Sequence, residues 1–133
     1  MTKKYQGSCL CQAVQFEVEG EFEHFFLCHC QYCQKDTGSA HAANLFSSTA
    51  KLVWHHGQEQ LTRFQLPDTR HVRSFCRVCG SALPTLEGKL LAVPAGSLDI
   101  AIDVKPNAHL FDSSRASWCE ELNQLPTFDT FPQ

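Results

Sequence analysis

No apolar run in this 133-residue chain approaches the ~20 residues a helix needs to cross a bilayer, so a helical membrane protein is excluded. Clustered positive charge is missing as well. The 11 basic and 14 acidic side chains are scattered, the formal net charge is -3, and no polybasic stretch is present to attract a nucleic-acid backbone or an anionic lipid surface. The N-terminal Met1-Thr2-Lys3-Lys4-Tyr5-Gln6-Gly7 carries two lysines but has no apolar core behind them before Cys9, and so lacks the form of a signal peptide. A cytoplasmic protein is expected. Long helices are lacking too: nowhere do apolar residues keep helical spacing for three turns, and there is no internal repeat or low-complexity segment. What remains is a mainly β protein of short strands, with residues 1–133 of a size for a single domain.

Cysteine, by contrast, is plentiful. Seven of the eight thiols fall into three tight clusters: Cys9-Leu10-Cys11, Cys28-His29-Cys30 with Cys33, and Cys76-Arg77-Val78-Cys79-Gly80. Thiols at i and i+2 cannot easily bridge each other but can share an ion, and a reducing cytosol favours metal over disulfides. Redox chemistry at a C-x-x-C pair is disfavoured because such a pair normally opens a helix in a βαβ setting, which is missing.

The strands are read from alternation. Val14, Phe16 and Val18 alternate with polar residues up to Gly20, and Phe25-Phe26-Leu27 leads into the three-cysteine cluster. Gln34-Lys35-Asp36-Thr37-Gly38-Ser39 then reads as a polar turn or a single helical turn stopped by glycine. Further strands are expected over Ala42 to Phe46, Leu52 to His55, Gln60 to Phe64, His71 to Phe75 and Leu90 to Val93. From Pro106 to Gln133 turn formers mix with Phe111, Trp118, Phe128 and Phe131, predicting irregular chain packed over a sheet.

Spacing also partitions the metal ligands. In an extended segment Cys28 and Cys30 face one side about 7 Å apart, and Cys33 closes a C-x-x-C turn with Cys30 that brings two sulfurs onto one zinc at about 2.3 Å each. That trio offers no fourth ligand of its own, which is the arrangement of an open, catalytic zinc. The Cys76/Cys79 pair needs two partners, and Cys9 with Cys11 supplies them, closing a structural site whose binding energy is folding energy. Joining the trio to the Cys76/Cys79 pair instead would strand a fifth thiolate beside the ion. Cys119 stands alone, as a small buried or semi-exposed thiol or as the ligand that closes the trio. Gly80 lets the backbone turn back and aim amide hydrogens at the sulfurs. His29, between two ligands, faces the other way as a packing or hydrogen-bonding residue. The other histidines, His24, His41, His55, His56, His71 and His109, show no ligand-like spacing beyond the adjacent pair.

These segments together resemble the glutathione-dependent formaldehyde-activating enzyme family, which also includes the domain of centromere protein V. The likeness is carried by Gly7-Ser8-Cys9-Leu10-Cys11-Gln12-Ala13-Val14-Gln15-Phe16, by Cys28-His29-Cys30 to Cys33 with Lys35 and Thr37-Gly38-Ser39, and by Arg73-Ser74-Phe75-Cys76 to Cys79-Gly80. Pro94-Ala95-Gly96-Ser97-Leu98-Asp99, His109-Leu110-Phe111 and Leu125-Pro126-Thr127-Phe128 extend it over nearly the whole chain. The resemblance implies a zinc-binding β-tent fold of short antiparallel strands. It also implies a structural zinc at Cys9, Cys11, Cys76 and Cys79, and a second zinc at Cys28, Cys30 and Cys33. The chain is short beside the members that give the family its name, and Cys119 lies where no family thiol is expected.

Three thiolates on a zinc dication leave one open, soft position that suits an incoming thiol such as glutathione better than a hard oxygen ligand. Coordination would hold that thiol as thiolate below its free pKa of about 8.5. The expected chemistry is therefore carbon-sulfur bond making or breaking at Cys28, Cys30 and Cys33. The family resemblance points to an aldehyde and an S-hydroxymethylglutathione-type adduct, the work of a carbon-sulfur lyase. Lys35, Thr37, Gly38 and Ser39 would either bind a carboxylate or developing oxyanion of the substrate or form a solvated turn. No side chain stands out as a general acid or base. The rival class is a non-enzymatic zinc scaffold or protein-binding module of the β-tent type, with both metals closed by four sulfurs.

Overall fold

A computed structural model describes residues 3–132, so Met1 and Thr2 of the N-terminal stretch, and Gln133, lie outside the described residues. Alternating burial builds the first sheet. In β1 (Lys4–Ser8) and β2 (Gln15–Glu19) every second side chain is buried, with Tyr5 and Gly7 facing the same interior as Phe16 and Val18. The two strands pair antiparallel with Gly7 opposite Phe16, and the Phe16 ring lies where a side chain on residue 7 would stand: a Cβ there would come within 2.2 Å of it.

β3 (His24–Cys28) is followed by the helix α1 (Gln31–Thr37), capped by Cys30 at its start and by Gly38 in the left-handed region at its end. The segment expected to be a turn or single helical turn is thus about two turns of helix, because Cys30 N-caps it and Gln34, Lys35 and their neighbours are tolerant of helical geometry. β4 (Ala42–Ser47) and β5 (Lys51–His56) come next, then β6 (Leu61–Gln65) and β7 (Val72–Cys76). β8 (Ala82–Leu83), β9 (Thr85–Glu87), β10 (Leu90–Pro94) and β11 (Ala108–Leu110) complete the strands.

They form three sheets, in the orders β1-β2-β5, β11-β3-β4-β10-β9 and β6-β7-β8. Pairing is antiparallel throughout except for β11, which lies parallel to β3 and sets Leu110 beside Cys28. The inner faces share one apolar cluster in which Phe16, Leu45, Leu91 and Val93 are fully buried. The fold is mainly β, as expected. The C-terminal expectation needs correction. β11 joins a sheet there, and beyond Cys119 every described residue is exposed, so Phe128 and Phe131 are not packed over a sheet; neither are Phe111 and Trp118. After β11 the described chain forms no further strand, and its aromatics stand in solvent.

Candidate metal centres

The first two thiol clusters that converge are far apart in sequence. Cys9 and Cys11 follow β1, and Cys76 ends β7 with Cys79 in the turn beyond it. All four sulfurs lie within 4.8 Å of one another. Sγ of Cys11 is 3.7 Å from that of Cys9 and 3.9 Å from that of Cys76. Ligand bonds of about 2.3 Å in a tetrahedron place neighbouring sulfurs about 3.8 Å apart, so the set matches a four-thiolate site. None of the eight cysteines is in a disulfide.

Local backbone geometry makes this set. Gly80, at φ 78°, donates its N–H to the Cys76 carbonyl at 2.8 Å and folds the turn back on itself. The N–H groups of Val14 and Val78 point at the sulfurs of Cys9 and Cys76, each at 3.3 Å. The Cys79 thiol is held down at about 5, first by the Ser81 hydroxyl 3.2 Å from its sulfur and then by the Ser81 backbone N–H. Thiolates are the ligating form, and these donors stabilise them.

Cys28, Cys30 and Cys33 form the second set, again within 4.8 Å of one another. Cys28 closes β3, Cys30 is the extended cap residue, and Cys33 lies in the first turn of α1, where its N–H reaches the Cys30 sulfur at 3.4 Å. Burial pushes the thiols of Cys28 and Cys33 up. Burial acts in the same sense on Cys30, but the Cys33 N–H and the two neighbouring thiols outweigh it and hold Cys30 down. Gln34 locks the loop by donating to the carbonyls of His29 at 2.7 Å and Ser114 at 2.9 Å. Among the described residues no fourth cysteine, histidine or carboxylate joins the trio. Cys119 lies outside both sets, buried with its sulfur 3.8 Å from an Arg115 nitrogen. Three soft donors without a fourth fit a metal ion with one position left for an outside ligand.

His29 does face away from the sulfurs' partners, into a fully buried site where its Nε2 meets Nδ1 of His109 at 2.8 Å. Asp112 is close enough for the three to form a further possible ligand set. Two of its groups are engaged, however: Asp112 pairs with Arg115 at 2.8 Å, and Nε2 of His29 meets Nδ1 of His109, while the buried Nδ1 of His29 has no hydrogen-bond partner. Burial, and then the Arg115 charge, push the His29 pKa down. This group is better suited to tying β11 onto the cysteine loop than to holding a cation.

The residues around Cys30 divide between two depressions. Residues i, i+3 and i+4 share a helix face, so Cys33, Asp36 and Thr37 project together from α1. They line a cleft of 310 Å³ whose opposite wall carries His71 and Arg73 of the β7 region. There Nε2 of His71 lies 2.5 Å from a carboxylate oxygen of Asp36. Lys35, Gly38 and Ser39 look the other way, into a depression shared with Trp118. Of the four residues expected around a substrate, only Thr37 therefore reaches the cleft that contains a metal-site thiol. Sequence reasoning missed His71 and Asp36. Reading α1 as a helix would have put Asp36 on the Cys33 face, whereas nothing in the sequence couples it to His71.

Residues 4–114 match the family model described as glutathione-dependent formaldehyde-activating enzyme. The chain belongs to that family. This formaldehyde-activating-enzyme domain is also similar to a crystal structure of a Rhodobacter sphaeroides protein from structural genomics, at 25% identity and a TM-score of 0.56 over 78% of this chain and 98% of that one. No curated protein matches it. The matched span takes in all three cysteine clusters, α1 and the His71–Asp36 pair. Among the described residues the family member has no helix long and apolar enough to cross a membrane.

Proposed function

We propose that this family member is a zinc-dependent carbon-sulfur lyase-type enzyme acting on glutathione, or a similar thiol, and an aldehyde, with an S-hydroxymethylglutathione-type adduct as the joined species. The observation that carries the reading is a trio of converging thiols with no fourth protein donor among the described residues; one of them, Cys33, lines the cleft. Cys9, Cys11, Cys76 and Cys79 would hold a structural zinc, and Cys28, Cys30 and Cys33 a second one. A bound zinc at the trio would keep an incoming thiol in its nucleophilic thiolate form at neutral pH.

The chain's own residues do the rest. Cys33 and Thr37 border the cleft into which the thiol's substituent extends, and the apolar wall of Ala42, Leu83 and Ala92 limits water around the reacting carbon. Lys35, Gly38 and Ser39 lie across α1 from that cleft, at a depression where Lys35 would meet a carboxylate of a tripeptide thiol reaching around the helix end. Nothing in the formal charge of -3 favours a nucleic-acid partner.

Metal analysis joined to titration calorimetry tests the reading. Zinc-loaded wild type should carry two zinc ions and bind glutathione, while Cys30→Ala should keep one zinc and lose the thiol. Wild type that holds both ions yet shows no heat with glutathione would sink the proposal and leave a zinc scaffold.

A further inference from the structure

We propose that His71, oriented by Asp36, is the acid–base residue of the cleft, moving the proton between the substrate's sulfur and the aldehyde-derived oxygen. This rests on the thiol–aldehyde reading above. Three observations support it. His71 and Asp36 share the cleft with Cys33, the one thiol of the trio that reaches it. Asp36 stands three residues after Cys33 on the same face of α1, so the carboxylate and the thiol are positioned by one rigid element. The imidazole has two contacts on one face of α1: its Nε2 lies 2.5 Å from Asp36, and its ring is 5.5 Å from that of Tyr32.

The backbone under His71 is pinned as well. Its N–H donates to the Thr69 hydroxyl at 3.1 Å, and its carbonyl accepts from the Leu66 N–H at 3.0 Å, closing the turn that carries Pro67 and Asp68. Both partners are largely but not fully buried, with side chains 18% and 23% exposed, so solvent protons can reach the pair when the cleft is empty. With Nε2 committed to the carboxylate, Nδ1 is the nitrogen left to exchange a proton. A carboxylate that orients an imidazole and stabilises its charged form is a recurring support for general acid–base work.

The step balances without an outside reagent. The thiol gives its proton to His71 as it binds; the thiolate sulfur then attacks the carbonyl carbon, the carbon-sulfur bond forms, and the carbon-oxygen π pair moves onto oxygen. His71 then returns the same proton to that oxygen, giving the hydroxymethyl thioether. Cleavage runs the sequence backwards, with His71 taking the hydroxyl proton and giving it to the departing sulfur. Nothing is oxidised or reduced. Asp36 touches neither reacting atom and acts as a positioning residue through the imidazole.

The test measures formaldehyde–glutathione exchange by NMR on the zinc-loaded protein, with zinc content, glutathione affinity and Tm followed in parallel. His71→Gln should lose about 10²–10⁴ of the rate above background while binding glutathione within about twofold of wild type. Asp36→Asn should lose less, again in turnover and not in affinity. Added imidazole should restore part of the rate to His71→Ala, which a purely structural role for the pair would not permit. His71→Gln turning over like wild type would overturn the proposal. So would a rate loss that follows zinc content or Tm and is not rescued by imidazole. A wild-type protein that binds no thiol removes the proposed function itself, and this inference with it; wild type that turns over alongside an equally active His71→Gln removes the inference alone.

Discussion

The sulfur of Cys11 lies 3.9 Å from that of Cys76, across 65 residues of chain. The contact joins the end of β1 to the end of β7, two strands of different sheets. Removing metal should therefore cost the fold and not only an activity. Cys76→Ser is expected to lower the stability by several kcal/mol and Tm by more than ~10 °C, whereas Cys33→Ser should lower it far less. Thermal melts of the two variants with and without a chelator check this. Equal losses in the two would contradict the division into a structural and an open site.

His29 and His109 form the second cross-link. Replacing His109 with alanine leaves the fully buried Nε2 of His29 without its 2.8 Å partner, which should cost about 1–3 kcal/mol. Because β11 pairs with β3 at Leu110 and Cys28, the loosening should be local. Hydrogen exchange is expected to quicken in 108–110 and around Cys28 while β1 and β2 stay protected.

Gly7 has its side-chain space filled by Phe16. Gly7→Ala should destabilise by about 1–3 kcal/mol, since a Cβ would meet the ring at 2.2 Å and the core must shift to admit it. The double variant Gly7→Ala with Phe16→Leu should recover part of that loss in a denaturant titration. A single variant as stable as wild type would show that the ring moves freely.

Glu23 supplies a pH signature. The Ser48 hydroxyl and N–H, and then the Ser47 hydroxyl, donate to its carboxylate and lower its pKa. A depressed folded-state pKa gives stability that is complete above the unfolded value and is lost as pH falls through the folded one. Glu23→Gln should melt below wild type at about pH 7, and the gap should close in strong acid. The difference between the two proteins cancels any acid loss of metal, which both would share.

Much of the site was legible because it is local. Cysteine spacing brought together thiols two or three residues apart, and the need of the Cys76/Cys79 pair for two partners joined it to Cys9 and Cys11, giving the set of four and the set of three that converge in the structure. Strand alternation located β2, β4, β5 and β7 within a residue or two of their ends. β1, β8, β9 and β11 were missed: they are short or broken by Gly7 and Pro84, and β11 is held in place by β3, a partner distant in sequence. The placement of Lys35 and Ser39 away from the cleft depends on the phase of α1, which a turn reading does not supply. The His71–Asp36 and His29–His109 pairs, 35 and 80 residues apart, depend on tertiary structure and have no signature in spacing.

Cys30 has two duties: its sulfur belongs to the trio, and it accepts the Cys33 N–H in the first turn of α1. An ion drawing on that sulfur and the first helical turn are thus mechanically linked. Were an ion held there to leave, the helix start would be free to fray, and Asp36 is carried on the same short helix. Occupancy of the trio alone would then act as a tuning peg for the distance between Asp36 and His71, so that a protein still closed by metal at Cys9, Cys11, Cys76 and Cys79 but empty at the trio would keep its architecture while its cleft falls out of alignment.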